Sequence, residues 1–221
     1  MDLNHINRLQ KTSALFGILG PLINLIVFTV LGFFYPGYNP MSQYVSELAT
    51  SEAPNNIIMN IFGFNVFGLY LIFFGFGLYL GVKKHPLITL SMVLFILSGM
   101  FIFTLSLFPC DKGCKNLTFR GTGHNLLIIF PSIAIPIAIL LSLYPLWKDN
   151  NWRNYWWLFF LQIGIFLIIF SPIALLFDLS LVLGLIQRLG LGVPLSWIFI
   201  MSIKLYRLSG KDLQVKLESI I

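Results

Sequence analysis

The chain has 221 residues, of which 57% are hydrophobic and only 10% charged. A soluble domain carries about 25% charged residues, and here the deficit runs the whole length, which excludes a sizeable water-soluble module. The net charge of +6 does not indicate nucleic acid. The basic residues cluster at the ends of apolar runs, where cytoplasmic placement and anionic lipid account for them, and no basic stripe or nucleic-acid motif accompanies them.

Six runs reach the length of about 20 apolar residues that a hydrocarbon core demands. In chain order they are Ser13–Phe34, Ile57–Leu80, Leu87–Phe108, His124–Leu146, Tyr155–Leu176 and Leu185–Tyr206. The first is too long for a signal-peptide core and continues into Phe33-Phe34-Tyr35-Pro36 without a small-residue cleavage site. It is therefore read as a retained span. Phe177–Arg188, with Asp178 and Arg188, reads as the turn between the last two. The expected architecture is an all-α polytopic helix bundle: one six-span domain over residues 1–208, then an amphipathic tail over 209–221. In that tail Leu213, Leu217, Ile220 and Ile221 share a helical face suited to the inner leaflet.

Six spans place the connections alternately on two sides. Arg8, Lys11, Lys83, Lys84, Lys148, Arg153, Lys204, Arg207, Lys211 and Lys216 fall on one side; Lys112, Lys115, Arg120 and Arg188 fall on the other. The bias in Lys and Arg near span ends sets orientation, so both termini are expected in the cytoplasm and the chain in a plasma membrane. Pro21, Pro131, Pro136, Pro172 and Pro194 interrupt spans and free backbone carbonyls that neighbours must satisfy. Gly63, Gly68, Gly75 and Gly77 suit close helix contact. Trp147, Trp152, Trp156 and Trp157 suggest an interfacial belt.

Most of the chemistry-bearing side chains lie on the expected outer side. In the loop Tyr35–Asn56, Asn39-Pro40 suits a helix start. Met41, Tyr44, Val45 and Leu48 then recur at helical spacing, with Ser42, Ser46 and Glu47 opposite. This predicts a short amphipathic helix at the outer interface or dipping into the bundle mouth. The two cysteines, Cys110 and Cys114, are expected to close a small disulfide ring in an oxidising compartment, eased by Gly113. Redox exchange is the alternative, although a second cysteine pair or quinone site is missing. A zinc site is disfavoured because His124 is the only nearby histidine, and bis-histidine haem lacks its paired membrane histidines. Neither a metal nor another cofactor is expected.

Glu47, Asp111, His124 and Asp178 form a candidate acid/base cluster, with Arg188 as counter-charge. The competing reading makes the same groups loop-organising pairs and caps. Three stretches taken together, Ser46-Glu47-Leu48, Pro109-Cys110-Asp111-Lys112-Gly113-Cys114 followed by His124, and Gly184-Leu185-Ile186-Gln187-Arg188, resemble a widespread family of six-span prokaryotic membrane proteins of unknown function. That resemblance implies fold and membrane location and supplies no activity. It directs attention to Ser46, Glu47, Cys110, Asp111, Cys114, His124, Gln187 and Arg188, with Ser46, Gln187 and Arg188 as candidate binding residues.

Three functions compete. The first is an outer-leaflet site for a lipid or lipid-linked molecule. The second is a small transporter or channel, suggested by Asn24, Asn60 and Asn65 inside apolar runs. The third is a non-catalytic assembly partner of a second copy or another membrane protein. Membrane lipids are the expected partners, and nucleic acid is not.

Overall fold

A computed structural model describes residues 3–155, 157–158, 160 and 181–218, with only the backbone described for residues 3 and 210–218. Among the described residues the chain is helical, with no strand. The helices are α1 (Leu3–Phe33), α2 (Asn56–Gly81), α3 (Pro86–Thr104), α4 (Phe119–Lys148) and α5 (Leu183–Glu218). All five are long and apolar enough to cross a membrane, and they correspond to the first four expected spans and the sixth. Nearly all of the fifth, Tyr155–Leu176, lies outside the described residues, as do Ser171-Pro172 and Asp178. Helix α5 begins at Leu183, inside the expected turn Phe177–Arg188, and runs unbroken to Glu218, so the tail starts as its continuation.

Between helices in lipid there is no hydrophobic drive, so close packing and hydrogen bonds must hold the bundle. Glycine supplies the close packing. Gly68 of α2 faces Gly99 of α3 so tightly that a Cβ on either would strike the other's carbonyl oxygen. Gly77 abuts Ser13 of α1, and Gly75 abuts Phe95 of α3. Gly63 differs from the expectation: its nearest neighbour is Met59 of its own helix. An aromatic group from three helices fills the centre. Phe74 meets Phe95 edge-on at 5.1 Å and Trp197 at 5.6 Å, favourable geometries for ring quadrupoles.

The first turns of α2 are irregular. Met59–Asn65 is a π-helical stretch, a wider turn whose carbonyls are less fully used by the helix. Asn24 of α1 meets it, its amide nitrogen donating to the carbonyls of Phe62 at 2.9 Å and Gly63 at 3.0 Å. A polar residue inside an apolar run is thereby explained on its donor side.

The opposite ends of the bundle are marked by specific bonds. At one end Lys83 N donates to Asp149 Oδ2 at 2.8 Å, Trp152 Nε1 to Gly81 O at 2.9 Å, and Gln10 Nε2 to Leu205 O at 3.1 Å. Trp152 is buried there, so it is a packing residue; Trp147 and Trp157 are exposed as a belt requires, and Trp156 lies outside the described residues. At the other end the C-termini of α1 and α3 meet the N-termini of α2, α4 and α5, and the loops between them form the candidate site.

Gly68→Ala and Gly99→Ala should each destabilise the bundle by about 1–3 kcal/mol, the cost of overpacking a tight contact. Gly192→Ala, with no neighbour near its Cβ position among the described residues, should be neutral or stabilising by up to about 1 kcal/mol, since alanine is the better helix former. Reversible unfolding in mixed micelles measures the difference.

Candidate functional site

The loop between α1 and α2 folds as a sequence of turns. Asn39 Oδ1 accepts from Met41 N at 2.9 Å, so Asn39 organises a local turn and does not cap a helix. The helix arrives later, as a 3₁₀ segment over Val45–Ala49 in which every residue is buried. The expected polar face is thus not exposed: Ser46 is 7% and Glu47 5% solvent-accessible. Of the two placements expected for this segment, burial at the bundle mouth describes it.

A carboxyl group buried at that depth must find donors, and Glu47 finds three. Oε1 accepts from Tyr44 N at 2.9 Å. Oε2 accepts from Gln43 Nε2 at 3.3 Å and from Gly113 N at 3.1 Å. The last bond links two loops 66 positions apart.

Helix α5 grips the same loop through its first turns. Gln187 Oε1 accepts from Val45 N at 2.6 Å, and Leu185 N donates to Met41 O at 2.9 Å. Arg188 Nη1 donates to the carbonyls of Pro40 at 2.7 Å, Gln43 at 3.0 Å and Gly184 at 3.0 Å, while Nη2 donates to the Tyr38 hydroxyl. Among the described residues the guanidinium donates to backbone carbonyls and a phenol and forms no ion pair with Glu47 or Asp111; Asp178, the other expected partner, lies outside the described residues. The sole ion pair among the described residues is Lys112 with Glu52, exposed and 3.9 Å apart. Burial raises the Tyr38 phenol pKa, although the Arg188 hydrogen bond and charge pull the other way. It stays a neutral hydroxyl at physiological pH.

The loop between α3 and α4 is closed by a Cys110–Cys114 disulfide, with Cα atoms 4.9 Å apart. Cys114 N donates to Asp111 O at 2.7 Å. Gly113 has φ +66° and Cys114 φ +48°, both in the left-handed region, where glycine is at ease and cysteine is held by its surroundings. Asp111 turns outward to the start of α4: Oδ2 accepts from Leu117 N at 2.9 Å and Thr118 N at 2.8 Å, and Oδ1 accepts from Thr118 Oγ1 at 2.8 Å. Thr118 caps α4 by accepting from Gly121 N at 3.0 Å. What little burial Asp111 has pushes its pKa up, but the backbone and hydroxyl bonds from Thr118 and the backbone bond from Leu117 outweigh it. The net pKa lies below the usual carboxyl value.

One turn into α4, His124 is 2% exposed. Its Nδ1 lies 2.8 Å from Phe108 O. A carbonyl can only accept, so Nδ1 carries the proton in this pairing. The ring packs against Phe64, 5.8 Å between centroids, and one ring nitrogen lies within 4.8 Å of both cysteine sulfurs. Beside it Asn125 Nδ2 donates to Cys114 O at 3.0 Å.

Ser46, Glu47, Cys110, Asp111, Cys114, His124, Gln187 and Arg188 accordingly gather at one end of the bundle; Asp178 is outside the described residues. Tyr38, Gln43, Thr118 and Asn125 belong to the assembly too and were not anticipated. Thr118, three residues before Gly121 at a helix start, carried a usable capping signal. Tyr38, Gln43 and Asn125 act through contacts that no local spacing announces.

A family model described as "Protein of unknown function (DUF998)" matches residues 18–204. No curated protein and no solved structure matches the chain.

The depressed pKa of Asp111 makes its loop sensitive to acid. Because the folded value is below the unfolded one, its stabilisation is fully present above the unfolded pKa and is lost as pH falls through the folded pKa. Amide exchange at Leu117 and Thr118 should gain protection as pH rises out of the acid range, beyond the intrinsic pH effect. In Asp111→Asn that pH-dependent gain should vanish.

Proposed function

This chain belongs to the DUF998 family, and on that footing we propose that it is a six-span protein of a prokaryotic plasma membrane, with both termini cytoplasmic, that binds a lipid or lipid-linked molecule at its outer mouth. Two things support six crossings. The Lys and Arg residues divide ten to four between the two sides, and the segment joining α4 to α5 starts beside Lys83 at one end of the bundle and finishes beside Met41 at the other.

The observation that carries the binding reading is the rim around the polar mouth. Phe33, Phe34, Leu107, Leu117 and Phe119, from the ends of α1, α3 and α4, are 63–84% exposed. In water such a ring would be an adhesive patch; at a bilayer interface it places the polar assembly at headgroup depth. Lys115 and Arg120 are exposed in the same stretch as Leu117 and Phe119 and suit the phosphate of an anionic headgroup. Glu47, Gln187 and Arg188 are committed to holding loops together, which favours a preformed binding floor over general acid–base catalysis. Chemistry on the ligand, with Glu47, Asp111, His124 or Asp178 as the acting groups, is the narrower version of this reading.

A second reading has its own observation. Asn24 Oδ1, Asn60 Oδ1, Asn65 Oδ1, the Tyr70 hydroxyl, Ser98 Oγ and Ser202 Oγ are buried and have no hydrogen-bond partner among the described residues. Buried polar atoms of this kind suit a water-lined path, and hence transport. Flux into proteoliposomes no greater than into empty vesicles removes it.

Native mass spectrometry of the protein extracted with its surrounding lipid tests the binding reading. A defined lipid or lipid-linked molecule should remain on the wild type and be lost from both Lys115→Ala/Arg120→Ala and Glu47→Gln/His124→Ala. Equal retention by all three, or a bare wild-type protein, overturns it in favour of an assembly role.

A further inference from the structure

The sulfurs of Cys110 and Cys114 and one ring nitrogen of His124 lie within 4.8 Å of one another. Around a tetrahedral thiophilic ion, with metal–sulfur bonds of about 2.3 Å and metal–nitrogen bonds of about 2.0 Å, two sulfurs sit about 3.8 Å apart and sulfur and nitrogen about 3.5 Å. Reaching that geometry requires the disulfide to open and its two sulfurs to separate. From this constellation we propose that the reduced form of the outer loop is a Cys2His site for a single soft d10 cation of the Zn2+ class. The disulfide and the metal are then alternative occupants of one place.

Three features separate this site from a chance meeting of donors. His124 is held as metal-binding histidines usually are: one ring nitrogen is engaged by a backbone carbonyl, Phe108 O at 2.8 Å, which fixes the ring and leaves the other nitrogen with the lone pair. The loop is shaped by bonds that do not involve sulfur, namely Gly113 N to Glu47, Cys114 N to Asp111 O and Asn125 to Cys114 O. These persist when the disulfide opens, so the thiols stay near His124. Finally, Cys110 and His124 are 3% and 2% exposed, which shields thiolate–metal bonds from water. Two thiolates favour soft ions over magnesium or calcium. Three protein ligands leave the fourth position to water or another small ligand, as in sites that keep an open coordination position.

The chemistry balances in two steps. A dithiol reductant attacks the Cys110–Cys114 bond by thiol–disulfide exchange. Two electrons and two protons pass to the loop sulfurs, and the reductant leaves as its own disulfide. The two thiols each release a proton on binding the divalent ion. The proposal is independent of lipid binding at the mouth.

The test uses the full chain, without a polyhistidine tag, in detergent micelles. It is reduced with a phosphine, desalted, shown by thiol titration to carry two free thiols, and titrated anaerobically with Co2+. One Co2+ per chain should bind, with thiolate-to-cobalt charge-transfer absorption and the intense visible bands of tetrahedral cobalt, and one equivalent of Zn2+ should displace it. The oxidised chain and Cys110→Ser/Cys114→Ser should show neither feature, and His124→Ala should bind at least about tenfold more weakly. Absence of the bands from the reduced wild type overturns the proposal. So does an unchanged affinity in His124→Ala or in the double serine variant.

Discussion

One buried carboxyl group ties together the loops at one end of the bundle. Glu47 accepts from the backbone of its own turn at Tyr44 and from Gly113 in the disulfide loop, so two loops that are distant in sequence share a single acceptor. Leaving a buried acceptor of this kind without its donors costs about 1–3 kcal/mol, a large fraction of what holds a small domain. Arg188 and Gln187 complete the arrangement from α5, bonding to the loop's carbonyls and to Val45 N. Three chain segments are thereby fixed in one register by backbone-directed hydrogen bonds.

The bundle beneath makes that register available. Where Gly68 meets Gly99, the backbones of α2 and α3 approach closely, which sets α3 and hence the disulfide loop that follows it. Where α2 widens into its π-helical stretch, Asn24 occupies two of its carbonyls, which sets α1 against the segment that follows the α1–α2 loop. Phe64, within that stretch, packs on His124. The irregular turn and the histidine therefore belong to one packed unit, and the disulfide lies directly against it.

The sequence disclosed what depends on composition and length: the membrane class, five of the described helices, and the cysteine ring with its glycine turn. It also singled out the residues that converge, because each breaks the apolar pattern near a span end. Their bonding was not legible. Arg188 reads as a counter-charge by type, yet a guanidinium offers several donors and here meets carbonyls that only the tertiary fold supplies. The α1–α2 loop shows helical spacing from Met41, but Asn39 draws the chain into a turn and delays the helix to Val45. Trp152 matches an interfacial belt by spacing and is instead buried, with its indole bonded to Gly81 O.

An end built this way is preorganised: Glu47, Gln187 and Arg188 are bonded to its own loops, and apolar and cationic side chains are exposed around them. The joint dependence of both loops on Glu47 is the constraint on which this end of the bundle rests. Hydrogen exchange followed by mass spectrometry on wild type and Glu47→Leu tests it most directly. The account predicts faster exchange in both loops at once, over residues 43–50 and over residues 110–118, with the transmembrane helices unchanged. Faster exchange confined to residues 43–50, with the disulfide loop as protected as in the wild type, would contradict it.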